Sequence, residues 1–148
     1  MNTILSTGRE AMRQQLIDHE GLRLKVYTDT VGKLTIGVGR NLDDVGISHA
    51  EAMALLDHDI EACVTDLVSR YPWFEGLDGI RQRAVCDVRF NLGPHRFDGF
   101  KQTLAALARG DFERAADALT DSKWYGQVGR RGPRIVHMVR TGTAPEGS

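Results

Sequence analysis

Apolar side chains recur at two different spacings along this chain, and the changes of spacing divide it. Ala11, Met12, Leu16 and Ile17 follow the helical period, and Gly21 stops the pattern directly after Glu20. Thr7-Gly8-Arg9-Glu10 reads as a capping box for this helix, with Thr7 as N-cap and Glu10 reaching back to it. The period then switches to two. Leu24 and Val26, then Leu34, Ile36 and Val38, alternate with other residues as two short strands. Asp29-Thr30-Val31-Gly32 is the turn between them, and the small sheet ends near Gly39-Arg40.

Helical spacing returns at Ser48-His49-Ala50-Glu51, a second capping box. It opens a helix of about 20 residues with Met53, Leu56, Ile60, Cys63, Val64 and Leu67 on one stripe, broken at Tyr71-Pro72. Shorter helical stripes follow. Ile80, Ala84, Val85 and Val88 lead to Gly93-Pro94, and Phe100, Leu104 and Leu107 lead to Gly110. Asp111 caps a helix carrying Phe112, Ala115, Ala116 and Leu119, and Pro133 stands at the start of one carrying Ile135, Val136 and Val139. Trp124 and Tyr125 read as core, and the tail from Gly142 as frayed. The pattern predicts an α+β fold in a single domain, residues 1–148. Its parts are a β-containing lobe at 20–47, a connecting helix at 48–70, and a helical lobe at 71–143 that takes in residues 6–20. A cleft between the lobes is the expected ligand site.

Composition narrows the function classes. With 148 residues, 41% hydrophobic and 26% charged, the chain can bury a sizeable core. A net charge of −1 gives no global pull toward nucleic acid or an anionic membrane. The charges are unevenly placed, however. Residues 43–69 hold seven acids and no Lys or Arg, while 122–140 hold five basic residues and no acid. Two solvated helix faces explain this, as does a basic tail facing an anionic polymer. Cys63 and Cys86 fall on apolar helical patterns, either as buried free thiols or as a disulfide, and spacing does not choose. No CxxC or Cys/His cluster points to a metal, and no signal peptide, anchor or membrane span is expected.

The candidate chemistry lies where the first helix meets the strands. Cutting a glycosidic bond needs one carboxyl to give a proton and another to handle water or the sugar cation. Glu20 closes a helix, where the dipole favours an uncharged carboxyl, and Asp29 lies on a hydrated turn that suits an ionised one. Thr35 adds a hydroxyl that can orient a water. The same residues also read as a surface Glu and an Asx-turn Asp, and spacing alone leaves both readings open.

The run from Glu20 to Gly39 resembles the phage-type lysozymes of the T-even and lambdoid-prophage kind, glycoside hydrolase family 24. It has the Glu20-Gly21-Leu22-Arg23-Leu24 start, the hairpin acid Asp29, and the strand Thr35-Ile36-Gly37-Val38-Gly39. The likeness continues in Phe90-Asn91-Leu92-Gly93, in Ser122-Lys123-Trp124-Tyr125-Gly126-Gln127, in Arg131 and Arg134, and in Val139-Arg140-Thr141-Gly142-Thr143. It covers residues 10–143. The resemblance implies a muramidase that cuts the β-1,4 bond between N-acetylmuramic acid and N-acetylglucosamine in peptidoglycan, with inversion. Glu20 would be the proton donor, Asp29 would position and activate water or stabilise the sugar cation, and Thr35 would hold that water. Inversion requires the two carboxyls about 6.5–9.5 Å apart. The resemblance further implies substrate contacts at Phe90, Asn91 and Thr103, with Arg131 steadying Glu20, and no cofactor. It implies a monomer acting on glycan strands, with no nucleic acid and no stable membrane insertion. Synthesis in the cytoplasm of an infected bacterium, with release to the wall by a holin-type partner, completes the expectation.

Three departures carry expectations of their own. Arg40 stands where the family usually has His, and a bidentate pair with Asp59 is expected. His19 and Asp87 are read either as a pair or as two separate surface groups. The near-neutral charge weakens long-range attraction to an anionic wall. Two other classes compete. A lytic transglycosylase uses one Glu without an Asp partner. A helix-turn-helix binding module would use the basic C-terminal part, but the acidic stretch and the lack of a basic N-terminal arm argue against it.

Overall fold

The first helix, α1 (Arg9–Glu20), starts and stops for different reasons. In the computed structural model, which describes residues 5–145, its N-cap is Gly8 and no side chain caps it. The capping box expected at Thr7 does not form. Arg13, one turn along, takes the Glu10 carboxylate instead, an i,i+3 pair that competes with the reach back. At the other end Gly21 turns at φ 81°, and its N–H donates to the Ile17 carbonyl at 2.8 Å.

The backbone divides into two units at Met53–Ala54. In the first, α1 leads into an antiparallel sheet of β1 (Arg23–Thr28), β2 (Leu34–Gly37) and β3 (Arg40–Asn41), in that order. The third strand extends the sheet beyond the two that alternation predicts. The two residues Val38-Gly39 turn the chain back, with Gly37 and Gly39 both at φ 70°, a conformation that favours glycine. Arg23 opposes Gly37 and Tyr27 opposes Thr35, so β1 advances four positions (23 to 27) while β2 advances two (37 to 35). This bulge falls on Leu24 and Val26 and breaks their alternation. Neither forms a core face: Leu24 is 85% exposed and Val26 54%. Among the described residues of this unit, Thr35 alone is buried. The unit ends in the first turn of α2 (His49–Arg70), where the second capping box does form. Ser48 Oγ accepts from the Glu51 N–H at 3.1 Å, and Glu51 Oε1 accepts from the Ser48 N–H at 2.8 Å.

The second unit is helical. After a 3₁₀ turn (Phe74–Gly76) come α3 (Gly79–Leu92), α4 (Pro94–Asp98), α5 (Lys101–Ala108), α6 (Phe112–Thr120), α7 (Lys123–Gln127) and α8 (Arg131–Thr141). Asp78, Asp111 and Ser122 cap α3, α6 and α7 by accepting from the N–H of Arg81, Arg114 and Tyr125. The core joins Leu67 of α2 to Ala84, Val85 and Val88 of α3, Leu104 and Leu107 of α5, and Leu119 of α6. Trp124 and the α8 residues Ile135, Val136 and Val139 complete it. Ala115 and Ala116 are fully buried and keep α6 slim where α8 packs on it. Arg81 reaches the far end of α8, donating to the carbonyls of Val139 (2.7 Å) and Arg140 (3.0 Å) while lying 3.7 Å over the Phe112 ring. It thereby satisfies carbonyls that a helix end leaves without partners.

Candidate functional site

The turn between β1 and β2 fixes Asp29 through one of its two oxygens. Oδ1 accepts from the N–H groups of Val31 (3.0 Å) and Lys33 (2.8 Å), an Asx turn that the backbone bond from Asp29 N–H to Lys33 O (2.9 Å) closes. Oδ2 carries no hydrogen bond among the described residues. Thr35, 3% exposed on β2, donates its hydroxyl proton to the Lys33 carbonyl at 2.9 Å. Its oxygen lone pairs remain as acceptors.

Glu20 is the last residue of α1, and its carboxyl is seated against Gly39 in the β2–β3 turn. A Cβ at Gly39 would stand 3.0 Å from Glu20 Oε2. Gly39 is thus a site residue that pattern reasoning passes over, although it closes the strand motif that begins at Thr35. Lys33 holds Asp29 at one end of the four-residue β2 and Gly39 borders Glu20 at the other, with Thr35 on the strand between.

Arg40 does not pair with Asp59. Its guanidinium meets Glu51 in a two-pronged contact, Nη1 to Oε1 at 2.9 Å and Nη2 to Oε2 at 2.8 Å, and Nη1 also donates to the Gly46 carbonyl at 3.1 Å. The capping box already holds Glu51 in the first turn of α2, whereas Asp59 lies eight residues, about 12 Å, further along the helix. The hydrogen bond from Arg40, then the bond from the Ser48 N–H, hold the Glu51 carboxyl down to about 2.

In the helical unit the three residues expected to touch substrate, and Arg131, do not all come together. Phe90, 47% exposed, and Arg131 line an open groove of about 830 Å³ whose floor includes Ile60, Val64 and Met138. Arg131 Nε stands 3.0 Å from Asp87 Oδ1, an ionic contact outside hydrogen-bond geometry. Asp87, read either as a partner for His19 or as a separate surface group, has a cation from α8. Thr103 is buried and lines a second hollow of about 490 Å³ together with Trp124, Lys101 and Gln127. Asn91 Oδ1 accepts from the Trp124 indole N–H at 3.1 Å, so this amide holds a core aromatic. Among the described residues no helix is long and apolar enough to cross a membrane, and no group of three His, Cys, Asp or Glu is placed to hold a metal.

Comparison with known proteins adds to this geometry. A family model described as phage lysozyme matches residues 17–138. The chain is 30% identical over 160 residues to the pre-baseplate central spike protein Gp5 of Enterobacteria phage T4, covering 89% of this chain and 28% of that protein. It is 25% identical over 162 residues to probable T4-type lysozyme 1 of Dictyostelium discoideum, covering 90% of this chain and 95% of the relative. With the SAR-endolysin of Escherichia phage Mu it shares 34% identity over 135 residues, covering 83% of this chain and 75% of the relative. The chain therefore spans little more than a quarter of the spike protein but most of the other two.

Proposed function

The chain belongs to the phage lysozyme family, and on that premise we propose that it is an endolysin-type muramidase. It hydrolyses the β-1,4 bond between N-acetylmuramic acid and N-acetylglucosamine in peptidoglycan, with inversion. The observation that carries this reading is the one-sided grip on Asp29: Oδ1 is held by two backbone N–H groups, and Oδ2 is left to a water. Thr35 already donates its hydroxyl hydrogen bond to the Lys33 carbonyl, so toward that water it acts as an acceptor. The water then points one proton at Asp29 and the other at Thr35, and its lone pair faces the anomeric carbon. As the glycosidic C–O bond breaks, the leaving oxygen keeps the electron pair and takes the proton of Glu20. The water oxygen bonds to the sugar carbon from the opposite face, and its proton passes to Asp29. That geometry calls for a carboxyl separation of about 6.5–9.5 Å. Phe90 and Arg131, which line one groove, serve as substrate contacts in this scheme, whereas Asn91 and Thr103 are not among the residues that line it, and no cofactor enters it. The enzyme acts as a monomer on glycan strands, is made in the host cytoplasm, and reaches the wall through a holin-type partner.

The test is clearing of permeabilised Gram-negative cells by the parent protein and by Glu20→Gln and Asp29→Asn. Both variants are expected to fall about 10²–10⁴-fold while keeping the parental thermal midpoint. The parent's products should carry reducing N-acetylmuramic acid ends. Anhydro-sugar ends, with Asp29→Asn still active, place the chain with the lytic transglycosylases instead. Wall binding without clearing by the parent leaves a non-catalytic module.

A further inference from the structure

Cys63 and Cys86 take no part in this chemistry, yet the fold brings them together. Cys63 on α2 is 4% exposed, Cys86 on α3 is half-buried, and both line the groove beside α8. The Cys63 thiol donates to the Cys86 backbone carbonyl at 3.7 Å, so its sulfur already reaches the backbone of the residue that carries the second thiol. One turn further along both helices, Arg89 Nε donates to Asp66 Oδ2 at 2.9 Å and holds α2 and α3 in this register.

We propose that Cys63 and Cys86 form a redox site that closes to an intramolecular disulfide when a small disulfide oxidant enters the groove, clamping α2 to α3. The step balances with an oxidant such as oxidised glutathione. The Cys86 thiolate, the better exposed of the two, attacks one oxidant sulfur. The oxidant's S–S bond breaks and one small thiol leaves. The Cys63 thiolate then attacks the Cys86 sulfur and expels the second. Two cysteine S–H bonds are lost and one S–S bond is gained, and the oxidant takes up two electrons and two protons as two thiols. Burial pushes both cysteine thiols up, Cys86 to about 12, so the closed form accumulates slowly at neutral pH and mildly alkaline conditions suit the assay.

The full chain is incubated with oxidised glutathione at about pH 8.5, then unfolded, alkylated and weighed. The expected product is monomeric, lighter by two hydrogens, and unalkylated at both cysteines. Its thermal midpoint should rise by about 5–10 °C, and dithiothreitol should reverse the shift. Cys63→Ala should leave Cys86 as a stable glutathione adduct. The proposal is overturned if the parent protein keeps glutathione on Cys86, is alkylated at both positions, or cross-links into dimers. A disulfide that leaves the midpoint unchanged or lower overturns the clamp. Wall clearing is not the readout, so the result is independent of the muramidase reading.

Discussion

Gly39 shows how one absent side chain shapes a site. Any Cβ there meets the Glu20 carboxyl at 3.0 Å, and the backbone sits at φ 70°. Gly39→Ala therefore combines a left-handed strain of about 1–2 kcal/mol with a displaced carboxyl. The Glu20 carboxyl must give by a few tenths of an ångström, and clearing activity should fall by about 10-fold. Gly110→Ala is the control, because Gly110 shares the positive φ (75°) but has nothing within 4 Å of the added carbon. It should lose similar stability in urea melts and keep its activity. Equal activity in the two variants would refute a seating role for Gly39. At this scale the sequence was informative about residue types and weak about partners. Glu20, Asp29 and Thr35 stand out because their motif is local. The seat at Gly39 and the partner of Arg40 depend on where the β2–β3 turn carries them, and no spacing encodes that. Asp59 was a reasonable acid for Arg40, but Glu51 was already held closer by its own cap.

Among elements, the two capping boxes make the instructive pair. Both match the same four-residue pattern, yet only the one at Ser48 forms. Arg13 diverts Glu10 at α1, whereas Arg40 draws Glu51 in the direction that also serves the Ser48 N–H. The sign of the pH dependence follows from the depressed Glu51 carboxyl. Its stabilising contribution is present above the ordinary value of 4.5 and is lost as pH falls through about 2. Arg40→Ala should raise the Glu51 titration seen by carboxyl NMR and speed amide exchange in the first turn of α2 at pH 6. The difference from the parent should fade on acidification across that window. The pair is half-exposed, so added salt should shrink the effect as well. An unmoved Glu51 titration would show that Arg40 is not what holds it. The β1 bulge escaped prediction for a related reason. Leu24 and Val26 alternate on paper, but the two extra residues turn them out to solvent.

Over the whole molecule, the helical unit was the legible half. Its stripes on α3, α5, α6 and α8 are the stripes that form the core, because a 3.6-residue period survives wherever a helix lies on other helices. The stripe on α2 was only partly borne out, with Cys63 and Leu67 buried while Leu56, Ile60 and Val64 border the groove. Both tryptophans, Trp73 and Trp124, belong to this unit, so their fluorescence reports its unfolding selectively. Tyr71 makes its stability depend on alkaline pH. Burial and then the hydrogen bond to Asp98 hold the phenol in its protonated form, well above the usual tyrosine range. The stabilisation is complete below the ordinary value of 10.0 and is lost as pH rises beyond it. Tyr71→Phe should flatten the decline in stability above that point relative to the parent, and parallel curves would dismiss the contact. The last described helix has a consequence of another kind. α8 packs on α3, α6 and α7, and Arg81 waits for carbonyls 58 and 59 positions downstream. A ribosome delivers α8 after every other described helix, so the nascent helical unit must hold an unfinished interior until then. Its folding waits for α8 to leave the ribosome, and chaperones have that interval in which to act.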